Sequence, residues 1–326
     1  MHNFIYYLIY FPTYLISLLP LWIQYFFSDL LYYPLYYLIR YRRKVVRKNL
    51  VHSFPEKELT EIINIEKEFY SYLCDYFIES IKLVSMSERQ IKRRMVFEGL
   101  ESVNETLKSG KSVIFYMAHN FNWEWVTSLP LHMEDKNVIA GQIYHVLKNK
   151  TLDKLFLKLR GRYGATSIPM DFTLRRVIEY RKENKTFILG FISDQVPKWQ
   201  AINHWLDFLG QDTPVFTGTE KIAKKMDCAV YFCSMYRPRR GKYICKVEPM
   251  GSNITDIPDF QLTDMYFEKL EAHIRQYPAN WLWTHNRWKR KREEYFERIQ
   301  KWSAAKKALA AELQKESESS HGDNAN

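Results

Sequence analysis

The chain has 326 residues, of which 46% are hydrophobic; this suffices for one large domain or two small ones and excludes a chain that is disordered throughout. Its formal net charge of +11 implies an anionic partner. Nucleic acid, an acidic membrane surface, a phosphorylated lipid and an acidic carrier protein all fit this charge, which does not choose among them.

The chain contains four cysteines, and no two of them form a C-x2-C pair. Four thiols are too few for a disulfide framework, and the absence of the close pair argues against a zinc site. They are therefore expected to be reduced core residues in a cytosolic compartment. They are Cys74, Cys228, Cys233 and Cys245.

Residues 1–39 carry one formal charge, that of Asp29, and are otherwise mostly apolar and rich in aromatic side chains. This stretch exceeds the about 20 residues that a helix needs to cross a bilayer, and its aromatic residues suit the headgroup interface. Pro12, Pro20 and Pro34 interrupt any single straight helix. The stretch is compatible with one broken membrane span and also with a hairpin that lies in one leaflet. A cleaved signal peptide is not expected, because the stretch lacks a basic start and a small-residue cleavage site.

A dense group of basic residues follows this stretch, whereas residues 1–39 contain no Lys or Arg. Cytoplasmic segments next to a membrane are enriched in Lys and Arg, so the rest of the chain is predicted to lie in the cytoplasm. The same cations can bind anionic lipid headgroups. The group consists of Arg40, Arg42, Arg43, Lys44, Arg47 and Lys48.

Helical periodicity and short apolar runs alternate along the next two hundred residues. Such alternation predicts an α/β fold with a mostly parallel central sheet flanked by helices. The predicted helices are Thr60–Val84, Gly99–Ser109, Lys148–Tyr163, Phe172–Glu183 and Asp259–Gln276. The predicted strands are Val113–Ala118, Asn137–Ile143, Thr186–Ile192, and the antiparallel pair Ala229–Met235 and Tyr243–Val247.

A polar break follows the strand Val113–Ala118. It contains His119, Asn120 and Asn122, and a helix to about residue 133 is predicted after it. Glu124 comes five residues after His119. On a straight helix their side chains would point about 140° apart, and on a strand they would lie on opposite faces. They can meet only if the chain turns between them, as it does where a strand leads into a helix at the carboxyl edge of a sheet.

The residue types at this turn indicate a general base and its partner. His119 can take a proton near neutral pH, and Glu124 bonded to its other ring nitrogen would orient it and stabilise its charge. No Ser or Cys stands at the turn, so the proton would come from an acceptor hydroxyl in a direct transfer without a covalent intermediate. The alternative is structural: a histidine that caps a helix and a glutamate in its first turn.

The strand Thr186–Ile192 also ends in polar residues, Ser193, Asp194 and Gln195. Parallel strands end at the same edge, so this cluster is expected beside His119. Asp194 is a candidate to hold a cation that binds phosphate, to position an acceptor, or simply to cap a turn.

Two further segments belong to the same region of the sequence. Thr217 to Glu220 matches a capping box that opens a helix to Met226, and free amides at such a helix start can bind an anion or an oxyanion. Pro197–Leu209 is rich in Trp and lacks clean periodicity, so it is either a packed surface loop or part of a binding pocket.

Four sequence blocks in this chain resemble those of the bacterial lipid A biosynthesis acyltransferases, the lauroyl/myristoyl transferase family. They occur in the expected order and together cover roughly residues 40–292. The first, His119 to Glu124, matches the His-x4-Asp/Glu signature of glycerolipid acyltransferases. The others are ISDQ at 192–195, FLGQDTPVFTGTEKIAKK at 208–225 and WLWTHNRWK at 281–289.

This resemblance implies transfer of a fatty acyl group from acyl carrier protein to a hydroxyl of a lipid A precursor, on the cytoplasmic face of the bacterial inner membrane. His119 would be the base, Glu124 would orient it, and backbone amides after the turn would face the developing oxyanion. No metal or cofactor is required, because a thiolate leaves readily. The acidic carrier protein and an anionic acceptor lipid suit the basic clusters at 40–48 and 287–292.

The resemblance also implies an acyltransferase domain at 40–292, between a membrane segment at 1–39 and a charged helix at 293–314 followed by a disordered tail. Polar and basic side chains within this domain are expected to bind substrate. They are Asn120, Asn122, Arg160, Arg162, Asp194, Gln195, Thr217, Thr219, Arg287 and Lys289.

Departures from the family pattern, and the positive charge of the chain, leave other functions to consider. Many family members have an Arg just after the strand that follows the signature, and Gly141–His145 contains none. The acceptor could thus be a lysophospholipid, an aminolipid or a glycosylated phosphatidylinositol. A non-catalytic peripheral membrane protein is the alternative from a different class. A nucleic-acid binder is disfavoured because the basic residues form two short clusters, and a zinc hydrolase because no H-E-x-x-H motif is present.

Overall fold

The computed structural model describes residues 2–251 and 253–304. Within these residues seven strands form one central sheet and two form a separate hairpin. The strands are β1 (Met95–Glu98), β2 (Val113–Met117), β3 (Ile139–Tyr144), β4 (Thr166–Pro169), β5 (Phe187–Ile192), β6 (His204–Phe208), β7 (Gln211–Val215), β8 (Ala229–Arg239) and β9 (Lys242–Pro249).

The strands of the central sheet lie in the order β1-β9-β8-β2-β5-β3-β4. Neighbours run parallel except β8 and β9, which form the predicted antiparallel hairpin. The predicted α/β fold with a mostly parallel sheet is therefore confirmed. The small hairpin of β6 and β7 starts inside the Trp-rich segment 197–209, whose lack of alternation hides its strand character.

Helices cover both faces of the sheet. They are α1 (His2–Leu18), α2 (Leu21–Tyr33), α3 (Arg43–Ser53), α4 (Leu59–Lys82), α5 (Glu88–Arg94), α6 (Leu100–Lys108), α7 (Lys150–Arg160), α8 (Thr173–Lys182), α9 (Gly218–Lys225) and α10 (Gln261–Gln276). A π-helical turn, Pro34–Leu38, extends α2, and a 3-10 helix spans Trp123–Leu131. A last helix runs from 292 to 304; the remainder of the helix predicted to 314, and the predicted disordered tail, lie outside the described residues.

The strand β2 is buried along its whole length and separates two cores. Ile114 and Tyr116 face a cluster that includes residues of α3, α4 and α10, whereas Val113, Phe115 and Met117 face a cluster built with α5, α6 and α7. This division follows from the two-residue period of a strand. A strand that is apolar on both faces reads as a continuous apolar run, which is why the sequence identifies β2 so clearly.

The N-terminal helices α1 and α2 form a bent pair. Among the described residues no single helix is long and apolar enough to cross a membrane, whereas Phe4–Leu18 and Leu21–Leu38, bent by 116°, together have that length and composition.

A buried carboxylate, Glu79 on α4, connects this bent pair to the rest of the molecule. It accepts hydrogen bonds from the hydroxyl of Tyr25 on α2 at 2.7 Å, the amide of Asn122 at 2.8 Å and the hydroxyl of Tyr243 on β9 at 2.6 Å. Burial raises the pKa of Glu79, and the hydrogen bonds from Asn122 and Tyr243 oppose that rise. One side chain thus holds α2, the polar turn after β2 and strand β9 together.

The predicted capping box at the start of α9 does not form. Thr217 is the residue before α9, but its side chain makes no capping hydrogen bond. The carboxylate of Glu220 instead accepts the N–H of Phe260 at 2.7 Å, and the N–H and hydroxyl of Thr263 at 3.0 and 2.6 Å. Glu220 faces inward toward α10 and therefore caps that helix, which is distant in sequence.

We expect Glu220→Ala to lower the free energy of unfolding by about 2 kcal/mol or more, because it leaves buried donors at the start of α10 unpaired. Chemical denaturation of the purified chain measures this. Lys221→Ala, at the neighbouring exposed position of the same helix, is the matched control and should change stability by less than about 0.5 kcal/mol. Equal stabilities of the two variants would contradict the assignment.

Candidate active site

His119 lies two residues beyond the end of β2. Phe121 has a φ of 45°, in the left-handed region, so the chain turns sharply at this point. The N–H of Phe121 donates to the carbonyl of Asn280 at 2.9 Å, and Asn120 forms an isolated antiparallel bridge with Trp281. The turn is therefore held against the segment that carries the last sequence block.

Asp194 lies beside His119 because of the strand register. Met117 at the end of β2 is paired with Ile192 at the end of β5, so the second residues beyond both strands are neighbours. One carboxylate oxygen of Asp194 accepts Nδ1–H of His119 at 2.7 Å. The other accepts the backbone N–H of His119 at 3.0 Å and Nε1–H of Trp281 at 2.7 Å.

The electrostatics of Asp194 determine the state of the histidine ring. Burial alone raises the pKa of Asp194, but the charge of His119 and hydrogen bonds from His119 and Trp281 outweigh it and lower the pKa to about 2. Asp194 is therefore a carboxylate at neutral pH and only accepts hydrogen bonds. In the neutral tautomer of His119, Nδ1 therefore carries the proton and Nε2 the lone pair, with the side-chain nitrogen of Gln195 3.4 Å from Nε2.

Glu124 does not orient His119, and this prediction is wrong. Both of its carboxylate oxygens bind the guanidinium of Arg160 on α7, at 2.8 Å to Nε and 2.6 Å to Nη2. The fork of an arginine matches a carboxylate at both oxygens, so Glu124 is satisfied without the histidine. Burial alone lowers the pKa of Arg160, but the hydrogen bonds and charge of Glu124 raise it. A role of Glu124 in the reaction stays a prediction.

Aromatic side chains lie between the His119–Asp194 pair and the Glu124–Arg160 pair. Trp123 packs edge-on against His119, with ring centroids 4.9 Å apart, and stacks on Tyr76 of α4 at 4.3 Å. Tyr76 is itself beside Glu124: burial and that carboxylate both raise its pKa. The His119–Asp194 pair and the Glu124–Arg160 pair are thus separated by a short aromatic wall and belong to one region of the carboxyl edge.

The other predicted residues of the turn and of α9 are mostly internal. Asn122 is fully buried, and its side-chain amide donates to Glu79. The side chain of Asn120 is buried as well. Thr217 and Thr219 are buried, and the hydroxyl of Thr219 lies 2.9 Å from that of Ser193. The structure therefore places these side chains around the site rather than on its open surface.

The predicted basic residues separate into different places. Arg162 points away from Glu124 and donates to the carbonyl of Met86 at 3.2 Å. Arg287 is completely buried and donates to the carbonyl of Pro214 at 2.8 Å, whereas Lys289 is exposed. Only Arg160 lies next to the predicted catalytic residues.

Three residues that support the site are not predicted from the sequence. Trp281 donates to Asp194, and its signal was its place in the block WLWTHNRWK. His285, in the same block, accepts the backbone N–H of Val196 at 3.3 Å and holds the segment after Asp194; burial lowers its pKa to about 4. Glu79 carries no local motif at all and shows its role only in the fold.

A family model described as bacterial lipid A biosynthesis acyltransferase matches residues 1–290. The chain belongs to this family. The resemblance noted in the four sequence blocks is therefore confirmed, and membership identifies the chain as an enzyme that transfers acyl groups in lipid A synthesis.

Two curated proteins of the family show how far sequences diverge within it. A lipid A biosynthesis acyltransferase from Haemophilus influenzae is 20% identical over 246 residues, which cover 74% of this chain and 74% of that protein. Lipid A biosynthesis acyltransferase 2 from Shigella flexneri is 22% identical over 249 residues, covering 75% and 78%. This acyltransferase thus matches each of them over most of both chains.

We expect Asp194→Asn to lower the free energy of unfolding of this acyltransferase by about 2 kcal/mol between pH 4 and 6. A carboxyl whose pKa falls from 3.8 to about 2 on folding stabilises the folded state above pH 3.8, and this contribution is lost as the pH falls through about 2. Urea unfolding at several pH values measures the difference. Asp171→Asn, at an exposed position, is the control and should differ little from wild type. A deficit of Asp194→Asn that grows toward pH 2 would contradict the assignment.

Proposed function

We propose that this chain transfers a fatty acyl group from the thioester of acyl carrier protein to a hydroxyl of a lipid A precursor, with His119 as general base and Asp194 as its orienting partner. The single observation that supports this most is the 2.7 Å bond from Nδ1 of His119 to Asp194. It leaves the lone pair of Nε2 on the other side of the ring, where the amide nitrogen of Gln195 lies 3.4 Å away and a substrate hydroxyl would take its place. The histidine side chain is 17% exposed, whereas that of Asp194 is 2% exposed.

The steps follow from this arrangement. Nε2 of His119 takes the proton of the acceptor hydroxyl while the hydroxyl oxygen attacks the thioester carbonyl. The imidazolium is stabilised by the carboxylate of Asp194, which stays ionised. The tetrahedral intermediate then expels the thiolate, and the proton held on Nε2 neutralises it. The products are an ester and the free thiol of the carrier protein.

Arg160 is suited to bind the anionic part of the acceptor. A guanidinium has five N–H donors, and Glu124 takes two of them. The side chain of Arg160 is 21% exposed, and three of its five donors are not taken by Glu124. Glu124 would then fix the direction of the guanidinium, and a phosphate of the acceptor would bind it bidentately.

Attachment to the membrane is supported by the distribution of exposed apolar side chains. In the described part of the chain most large exposed apolar residues lie before residue 42, on α1, α2 and the π-helical turn. Such a contiguous apolar surface marks a membrane interaction site. Arg40, Arg42, Lys44 and Lys48 are exposed directly after it and suit the anionic cytoplasmic leaflet. The catalytic domain would lie on the cytoplasmic face of the inner membrane.

Lipid analysis tests the reaction. In cells that lack the gene, we expect mass spectrometry to show a lipid A species lighter by one fatty acyl group, restored by the wild-type gene and by His145→Ala. His145 is exposed on the surface and serves as the matched histidine control. His119→Ala should not restore the acyl group, and Asp194→Asn should lower kcat by at least about 100-fold, because it removes the group that orients the base. A mass change in another lipid class would identify a different acceptor, and an unchanged lipid profile would exclude the proposed reaction.

The carrier protein is expected to dock near the end of the acyltransferase domain. Lys289 and Lys291 are exposed there, whereas Arg287 is buried and Arg292 is paired with Asp212. Opposite charges steer association, so replacing both lysines by Glu should raise KM for acyl carrier protein about tenfold at low salt, with kcat unchanged and a smaller effect at high salt.

The matched control for this docking prediction is a double replacement in the other basic cluster. Lys44→Glu with Lys48→Glu changes the charge by the same amount on a surface assigned to the membrane. Steady-state kinetics with a soluble acyl acceptor analogue separates the two. Equal increases of KM in both double variants would show a general charge effect and contradict a docking site.

A further inference from the structure

A cleft of about 380 Å³ lies at the bend between α1 and α2, away from His119. It is bounded by the start of α2, by the last turn of α4 and by α5. Its lining combines apolar side chains with Tyr25, Gln90 and two cations, Lys82 and Arg94. Trp22, at its rim, is 73% exposed.

Lys82 is part of the joint that holds the bend. Its ammonium donates to the carbonyl of Ser17 at 2.7 Å and to that of Leu19 at 2.9 Å. The amide of Gln24 donates to the same two carbonyls and to that of Ile16, at 2.9 to 3.2 Å. These bonds satisfy the carbonyls at the end of α1, so the bend is a built feature of the fold. An ammonium has three donors, and these two carbonyls use two of those of Lys82, which also lines the cleft.

Arg94 brings a second positive charge to the same space. One of its nitrogens donates to the carbonyl of Gly241 at 2.9 Å. Among the described residues neither Arg94 nor Lys82 forms an ion pair with a carboxylate. Burial, together with the charge of Arg94, lowers the pKa of Lys82. The buried carboxylate of Glu79 does not line the cleft; it accepts the hydroxyl of Tyr25, which does. Two like charges that line one cleft favour an anionic occupant.

We propose that this cleft binds the phosphate of an anionic phospholipid from the leaflet that contacts the N-terminal hairpin, which is the bent pair of α1 and α2. The proposal rests on the membrane attachment argued above. Lys82 and Arg94 would hold the phosphate, since these two side chains supply the point charge and the planar fork that phosphates prefer. Trp22 at the rim suits the headgroup level, and the acyl chains would follow the exposed apolar faces of α1 and α2.

The surface chemistry favours a lipid over a soluble anion. The cleft opens beside the apolar surface of α1 and α2, where a free phosphate would leave its apolar lining uncovered. A phospholipid covers both parts at once. Its binding would also bridge α5 and the joint at the end of α1, and it would stabilise the bent form of the hairpin.

Native mass spectrometry of the full chain released from detergent tests the proposal. Phosphatidylglycerol, phosphatidylethanolamine and inorganic phosphate are titrated separately. We expect one phosphatidylglycerol per chain, weaker binding of phosphatidylethanolamine, and no measurable binding of inorganic phosphate at the same concentration. Arg94→Gln should weaken phosphatidylglycerol binding about tenfold, as for loss of a charged hydrogen bond, and Arg94→Lys, which keeps the charge but not the planar fork, should restore only part of it.

Arg93→Gln is the matched control, because it removes the same charge from the neighbouring exposed position of α5, outside the cleft. Equal lipid binding by Arg93→Gln and Arg94→Gln would overturn the proposal, and so would inorganic phosphate that displaces the lipid. Lys82→Gln gives a second test of the cleft if Arg94→Gln unfolds at a lower temperature than wild type.

The outcome separates this proposal from the proposed function. Arg94→Gln should still sediment with membranes and still transfer acyl groups, because the apolar hairpin and His119 are unchanged. A wild-type chain that does not sediment with membranes would contradict the attachment. Water-soluble dihexanoyl-phosphatidylglycerol can still be titrated against that chain. Its binding to wild type, weakened in Arg94→Gln, would support the cleft alone; no binding would overturn it.

Discussion

The candidate site depends on one buried carboxylate. Asp194 is shielded from water, and a buried charge persists only where donors replace the lost hydration. Three donors do so: the backbone and ring of His119 and the indole of Trp281. Two of these donors belong to His119 after β2, and the third belongs to Trp281 near the end of the domain. The charge is satisfied only when both segments are in place. The orientation of the His119 ring is therefore a property of the assembled sheet edge rather than of one loop.

A second buried carboxylate links the site to the N-terminal helices. Glu79 binds Asn122 in the turn that follows His119, and it also binds Tyr25 of the N-terminal hairpin and Tyr243 of the sheet. A displacement of the hairpin would thus act on the turn through a single side chain, and α1 reaches α7 as well, where Lys158 lies over the ring of Tyr10. The part of the molecule with the largest apolar exposure thus contacts, directly or through Glu79, elements that carry both charge pairs of the site.

The sequence predicts what is local and misses what depends on strand order. β2 and β5 are recognisable because each is a short apolar run, and their polar ends were correctly expected at one edge. The partner of His119 was not predictable from spacing, because Asp194 is 75 positions away and becomes a neighbour only through the pairing of Met117 with Ile192. Glu124, close in sequence, was the natural choice, yet Arg160 from another helix satisfies it. Glu220 shows the same competition: a local capping motif yields to a tertiary contact.

Arg287 shows how the interior supports this charge. It is completely buried, and among the described residues its Nε and Nη1 have no hydrogen-bond partner. Burial lowers its pKa to about 10 and the charge of Asp194 opposes that change, so the guanidinium remains protonated at neutral pH. An unpaired buried cation is costly, and it is tolerated here because its field stabilises the anion at Asp194 and the ring of Phe267 lies against it. The same field disfavours protonation of Asp194 when His119 takes up a proton. In the proposed reaction the carboxylate of Asp194 would therefore stay charged when His119 takes up the proton, supported by Arg287, a residue that never reaches the surface.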